Sequence, residues 1–255
     1  MLSKVKIKRF ENNEFTEYDD LIIEEHLVNI YLNRSFYCSI MCLPEYTDEL
    51  TVGFLYSDGI IESYDDILNI DISSKDDVYI EVSESRIPVD PIRRTITSGF
   101  AGGSIRLSSL TSKNPPANTG KKISCSDIIK LSSSFNKRSD LFLKTGAVHS
   151  CQLILSNKTE IFREDIGRHN ALDKIIGNVL VKKRDPKDSI LITSGRISKE
   201  IVVKTAKTGI PVIVSTSAPT KAAVDTALQI NLTLVGFSRN NRFNIYSGGF
   251  RITDN

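Results

Sequence analysis

Three short segments in the second half of the chain each follow a run that reads as a strand, and each is composed to meet an anion. Residues 193–200, Thr193-Ser194-Gly195-Arg196-Ile197-Ser198-Lys199-Glu200, and residues 215–220, Ser215-Thr216-Ser217-Ala218-Pro219-Thr220, are hydroxyl-rich turns that open helices. Free backbone N–H groups and hydroxyls at such a point suit a phosphate. Residues 237–242, Phe237-Ser238-Arg239-Asn240-Asn241-Arg242, supply two guanidiniums, which fork onto phosphate or stack on a base. One Ser/Thr turn by itself is most simply an N-cap. Three such segments at the same edge of one sheet point to a phosphate-bearing ligand, because ligands of open α/β sheets collect beyond the carboxyl ends of the strands. The chain contains neither G-x-x-x-x-G-K-[ST] nor G-x-G-x-x-G, so the usual NTPase loop and dinucleotide fingerprint are both missing.

A second set of reactive groups lies just upstream. His149 and Cys151 are two residues apart on one strand and so share a face. Glu164, Asp165, Arg168, His169, Asn170, Asp173 and Lys174 crowd a strand end and the first turns of a helix. Acids beside an Arg and a His suit proton transfer or a charged ligand, whereas Asp173 and Lys174 taken alone read as surface ion-pairing groups of a capped helix. One His and one Cys do not make a structural zinc site, which wants four ligands, so no metal site is expected. The remaining cysteines are Cys38, Cys42 and Cys125. Cys125 precedes an apparent helix start, where the dipole favours a thiolate; Cys38 and Cys42 fall on core or half-buried strand positions.

Residues 97–103, Thr97-Ser98-Gly99-Phe100-Ala101-Gly102-Gly103, pose a different problem. A loop of Gly, Ala and Ser lets backbone approach a ligand closely, yet a bulky Phe100 stands in its middle.

These groups belong to a chain of 255 residues, long enough for one large domain or two small ones. Thirty-three basic against thirty-one acidic side chains leave a net charge of +2, which argues against broad nucleic-acid or membrane-surface binding. The N-terminus lacks the apolar core of a signal peptide, and no window of about eighteen apolar residues spans a membrane. Four cysteines without a secretion signal read as reduced thiols, and the expected location is the cytoplasm.

Residues 5–43 hold several β-rich runs, with a turn at Asn33-Arg34, and residues 44–61 form one amphipathic helix that ends at Asp58-Gly59. Residues 108–122, rich in Ser, Pro, Asn and Gly, read as a linker. They divide a smaller N-terminal α+β domain (1–107) from an α/β domain (123–255). In the latter, a hairpin turns at Asn157-Lys158, and strands then alternate with helices of about twelve residues. That order predicts a mostly parallel sheet with helices on both faces.

The runs "EDIGRHNALDKIIG", "SGRISKEIVVKTAKTGIPVIVSTSAPTKAAVD" and "LVGFSRNNRFNIYS" strongly resemble the FdhD/NarQ family of formate dehydrogenase accessory sulfurtransferases. "MCLPEYTDELTVGFLYSDGII" and "TGAVHS" match the same family in order, so the likeness covers nearly the whole chain. The resemblance implies a cytidine-deaminase-like mixed α/β sheet covered by helices. It implies a carrier of sulfur from a cysteine desulfurase to the molybdenum or tungsten bis-guanine-dinucleotide pterin cofactor of formate dehydrogenase, acting as a homodimer. By that similarity Phe237, Ser238, Arg239, Asn240, Asn241 and Arg242 bind the cofactor's nucleotide portion, for which GDP is a mimic. Arg168, His169, Arg196, Ser215, Ser217 and Thr220 would help. The family loop resembles T-S-G-C-G-x-C-G, with the persulfide on its first cysteine; this chain has Phe100 and Gly103 at the two cysteine positions. Phenylalanine cannot carry sulfur, so the family reaction does not transfer to that position, and Cys125 and Cys151, the latter beside His149, are the catalytic candidates to weigh. A cofactor-holding protein that moves no sulfur is the alternative. A nucleotide deaminase is disfavoured, because H-x-E with P-C-x-x-C is missing.

Overall fold

The structure is a computed structural model that describes residues 2–83, the backbone of 94–96, and residues 122–254. The chain opens on an antiparallel ribbon of β1 (Leu2–Glu11) and β2 (Glu14–Ile23). It turns at Asn12-Asn13, where both residues take positive φ, a backbone Asn tolerates. The hairpin of β3 (His26–Leu32) and β4 (Ser35–Cys42) turns at Asn33-Arg34, as their place between two apolar runs predicts. After α1 (Thr47–Asp58) come β5 (Ile67–Asp71), β6 (Asp77–Val82) and β7 (Arg94–Ile96). These complete a five-stranded sheet in the order β5-β6-β3-β4-β7.

The second half begins with β8 (Ile123–Ser124), α2 (Cys125–Phe135) and α3 (Asp140–Thr145). The hairpin of β9 (His149–Ile154) and β10 (Glu160–Asp165) leads into α4 (Arg168–Val181). Then follow β11 (Ile190–Thr193), α5 (Lys199–Lys207), β12 (Val212–Ser215) and α6 (Lys221–Gln229). The chain closes through β13 (Thr233–Arg239), β14 (Arg242–Ser247) and β15 (Ile252–Thr253), which pairs with β8.

The six-stranded sheet runs β10-β9-β11-β12-β13-β14. It is less parallel than the strand–helix alternation predicts. Only β11, β12 and β13 run parallel; β9, β10 and β14 are antiparallel to their neighbours. The reason is local: two of the connections are tight turns, at Asn157-Lys158 and Asn240-Asn241, and a tight turn can only join antiparallel strands. Both faces are covered, as expected. Leu191, Ile213 and Leu234 point into the core beneath α4, α5 and α6, while Ile192, Val214 and Val235 meet Ile128 and Phe135 of α2. This is the period-two alternation of a sheet buried on both sides.

The expectation of an amphipathic α1 does not hold: every residue from Glu49 to Ser57 is buried. On one side α1 meets the five-stranded sheet, and on the other it lies against α4, itself buried without a break from His169 to Val179. Gly53 and Gly177 make that crossing possible. A Cβ on Gly53 would stand 1.9 Å from the carbonyl oxygen of Asp173, and one on Gly177 would stand 1.8 Å from that of Glu49. The two helices therefore touch backbone to backbone.

Side chains reinforce the joint. Arg163 of β10 grips Glu49 of α1 through two hydrogen bonds, of 2.6 and 2.8 Å, and its guanidinium lies 3.8 Å from the Tyr46 ring centroid. Asn178 donates to the same carboxylate at 2.7 Å. The linker expected at 108–122 lies outside the described residues except for Lys122. The portions on its two sides nonetheless share one hydrophobic core.

Candidate functional site

The loops after β11, β12 and β13 do gather at one edge, and they are stitched together. Thr216 N–H donates to the Thr193 carbonyl at 3.2 Å, and Phe237 N–H donates to the Ser217 carbonyl at 3.1 Å. The hydroxyls that the sequence offers to a ligand are largely spent on this stitching. Ser215 is fully buried and donates to the Gly195 carbonyl at 2.8 Å; Ser217 donates to the Ser194 carbonyl at 2.8 Å. Thr220 caps α6 by accepting from the Ala223 N–H, and Ser198 caps α5 in the same way. For Thr220 the plain cap is what the geometry shows. Ser238 is buried too, with its hydroxyl 2.6 Å from that of Ser132 on α2. These groups shape the edge, and the charge is left to the arginines.

Arg239 and Arg242 face each other across the β13–β14 turn, and both are exposed. Between them Asn240 and Asn241 hold φ of 54° and 57°, the paired left-handed conformation of a two-residue hairpin turn. Their identity is thus explained by the turn before any ligand is invoked. Phe237 is different. It sits inside β13 at φ 53°, where the strand bulges between Gly236 and Arg239. A bulky side chain in that region costs on the order of 1–3 kcal/mol, and such strain gathers where a side chain must be re-aimed. Next to the turn is a cavity of about 260 Å³. Ser132, Asn136 and Lys137 line one wall, and Arg239 and Arg242 the other. Its volume is a little below the roughly 300 Å³ at which small-molecule sites begin, so it suits one part of a ligand, such as a base or a pair of phosphates. Lys137 was not legible as a site residue. Its only signal was its place at the polar end of α2, four and five residues beyond Ser133 and Ser132.

The second group of predicted residues separates into two. The acids go to the interior. Asp165 is fully buried, 2.7 Å from the Lys174 ammonium. It also accepts from Leu43 N–H, Gly167 N–H and the Asn170 amide at 2.9–3.1 Å. Asp173 is buried 2.7 Å from Lys204, and Ser57 donates to it. Glu164 accepts from Ser139 and Ser150. The surface ion pairing expected of Asp173 and Lys174 is therefore replaced by two buried pairs, each with a different partner, because α4 is enclosed on all sides. These acids hold the fold and offer no free carboxylate for proton transfer.

The cations remain at the edge. His149, at the start of β9, has Nδ1 3.3 Å from the Ser194 hydroxyl. Burial, with the Arg168 and Arg196 charges, pushes it below the ordinary histidine range. His169 is pushed down to about 3 by burial, then by Lys204, Arg168 and His149. Its 3.5 Å approach to Glu200 is therefore a contact of a neutral ring and no ion pair. Glu200 closes the first of the three edge segments, but the sequence gives it no role of its own.

The four cysteines form no disulfide. Cys38, Cys42 and Cys151 are buried, and burial pushes the Cys42 and Cys151 thiols up to about 12. A neutral thiol is a poor nucleophile, which removes Cys151 as a sulfur acceptor. Cys125, the first residue of α2, is the one cysteine not buried. Residues 97–103, Phe100 among them, lie outside the described residues. The strand that leads to them is informative: β7 runs parallel to β4 with Ile96 opposite Ile40, and the next residue of β4, Met41, accepts a hydrogen bond from Asn170 at 2.9 Å. Ile96 thus ends near the first turn of α4.

A family model described as FdhD/NarQ matches residues 23–253. The chain belongs to the FdhD/NarQ family. Curated relatives named sulfur carrier protein FdhD agree with that membership over nearly their full length. The one from Listeria monocytogenes serotype 4b is 39% identical over 260 residues, covering 99% of both chains. That from Bacillus subtilis is 34% identical over 252 residues, covering 96% of this chain and 95% of the other. A crystal structure described as a formate dehydrogenase accessory protein from Desulfotalea psychrophila superposes with a TM-score of 0.81 at 26% identity, over 99% of each chain. The FdhD/NarQ fold thus accounts for the mixed sheets and the six α-helices seen among the described residues. Among the described residues no helix is long and apolar enough to cross a membrane.

Proposed function

We propose that this chain serves the maturation of formate dehydrogenase by engaging a molybdenum or tungsten bis-guanine-dinucleotide pterin cofactor at the carboxyl edge of its six-stranded sheet. The cofactor is cargo here. The single observation that carries the reading is the pairing of two exposed arginines over a cavity, with Lys137 opposite them. Guanidinium forks match phosphate oxygens two at a time. Family membership supports a cysteine desulfurase as sulfur donor, the formate dehydrogenase catalytic subunit as recipient, and a homodimer as the working form.

Sulfur needs a thiolate, and Phe100 removes it from the glycine-rich loop. Cys125 is the thiol with the access to replace it. A second reading, in which the protein holds or inserts the cofactor without moving sulfur, is favoured by that substitution together with the burial of the three other cysteines.

The test of cofactor engagement is the melting temperature with and without GDP. GDP should raise it, and Arg239→Ala or Arg242→Ala should abolish the rise. A GDP response untouched by both substitutions would remove the cavity from the reading.

A further inference from the structure

The Arg239–Arg242 cavity leaves one cationic group at the same edge without a task. Arg168 begins α4 and Arg196 lies in the turn after β11; the two are near enough that each charge is felt by the other and by His149. Like charges brought together on folding are costly unless something opposite joins them. Three other inward cations have such partners: Arg163 has Glu49, Lys174 has Asp165, and Lys204 has Asp173, while the buried Arg251 stands apart from other arginines and meets the Asn231 carbonyl and the Thr233 hydroxyl. Among the described residues neither Arg168 nor Arg196 makes an ion pair, and the Arg168 Nε is buried with no hydrogen-bond acceptor. A buried, unmet N–H of a charged group is a rare feature that calls for an occupant.

The surroundings confirm that this arrangement is constructed. Gly195 stands directly over Arg168: a Cβ there would be 2.8 Å from Arg168 Cβ and 3.2 Å from its Cδ. The turn must carry glycine for the arginine to lie beneath it. Ser194 next door has its hydroxyl on the Ser150 N–H and beside the His149 ring. The nearest carboxylates are committed. Asp165 is held by Lys174 and Asn170, and Glu200 is shared with Lys204 at 3.4 Å. No acid is therefore free to fold over and neutralise the two guanidiniums.

We propose that Arg168, Arg196 and His149 form a second anion site, for a tetrahedral phosphoryl-type oxyanion, separate from the Arg239–Arg242 cavity. The two sites are two strands apart: Arg196 follows β11, Arg239 ends β13, and β12 lies between. At about 4.8 Å per strand the separation is on the order of 10 Å. That exceeds the span of one diphosphate, so the sites meet different anionic groups. The source is either free inorganic phosphate or a phosphate of a larger nucleotide ligand. The inference rests on the reading of this edge as a ligand-binding edge.

The experiment uses the full chain, with inorganic phosphate as probe and chloride at matched ionic strength as control. The C–H resonances of the three histidines are followed by NMR as pH is varied. His149 is faced by Arg168 and His169 from α4, Arg196 from the turn, Asp165 from β10 and the Ser194 hydroxyl. A bound dianion offsets the two arginine charges, so phosphate should raise the His149 titration midpoint, while chloride should not. Arg196→Gln, a change at an exposed position, should weaken phosphate binding at least roughly tenfold, and Arg168→Gln should do the same. Arg239→Ala should leave the phosphate effect intact. A phosphate effect equal in wild type and Arg196→Gln, or no effect beyond that of chloride, would overturn the proposal. GDP distinguishes the sources. A His149 shift with GDP that needs both Arg196 and Arg239 assigns the oxyanion to one long ligand; a shift with phosphate alone assigns it to the free ion. The two readings fail differently. If the cavity is wrong, the GDP response survives Arg239→Ala; if the second site is wrong, the phosphate response survives Arg196→Gln.

Discussion

Gly177→Ala should destabilise the protein, although the same change on an exposed helix stabilises. In a helix interior, alanine is favoured over glycine by about 1 kcal/mol. Here the new methyl would lie 1.8 Å from the Glu49 carbonyl oxygen, and that oxygen belongs to a second helix with no flexible end to swing away. An ordinary contact begins near 3.4 Å, so α1 and α4 must move apart by roughly 1.6 Å. A gap of that size forfeits more than half of the dispersion energy along the seam, and over-packing of this kind costs about 3 kcal/mol. Net of the helix gain, about 2 kcal/mol should be lost. Gly53→Ala, whose methyl would meet the Asp173 carbonyl at 1.9 Å, should behave alike. Because either methyl pries open the same seam, the double variant should lose less than the sum of the two. Urea denaturation measures all three. If Gly177→Ala were as stable as wild type, or more so, the backbone contact between α1 and α4 would not exist as described.

Three further outcomes follow from the interior and the thiols. His169, held at about 3 when folded, titrates near 6.5 in the unfolded chain, so the folded state binds fewer protons between those values. Its contribution is complete above about pH 6.5 and is lost as pH falls, by up to ~1.4 kcal/mol per unit; His169→Gln should flatten that slope in urea titrations, and an unchanged slope would contradict the assignment. Lys204→Met strands the buried Asp173 carboxylate and should cost about 3–5 kcal/mol, most of it recovered when Asp173→Asn is added; no recovery would mean that the pair is not the cause. After incubation with a cysteine desulfurase and cysteine, intact mass should show one added sulfur atom that Cys125→Ser removes. Sulfur retained in that variant would exclude Cys125, and none on the wild type would leave the cofactor-holding reading.

Much of the second half was legible because its signals are local. Strand and helix alternation, the Asn-Lys turn and the hydroxyl-rich turns that open α5 and α6 all act within a few residues, and each appears where its chemistry places it. The carboxyl-edge location of Arg196, Arg239 and Arg242 followed from that order. What was not legible depended on partners far away in the chain. Nothing near Asp173 or Lys174 announces that both are enclosed, since the enclosing helix is α1, more than a hundred residues earlier. The same distance hid the purpose of Gly53 and Gly177, whose meaning lies in each other's helix. Ser215 and Ser217 looked like ligand groups because sequence shows hydroxyls and not the carbonyls they serve.

The most direct measurement of the central claim is a crystal structure of the protein with GDP. The account predicts guanine-nucleotide density in the cavity between α2 and the β13–β14 turn, with phosphate oxygens on Arg239 or Arg242. A nucleotide bound elsewhere on the molecule, or an empty cavity at saturating GDP, would contradict it.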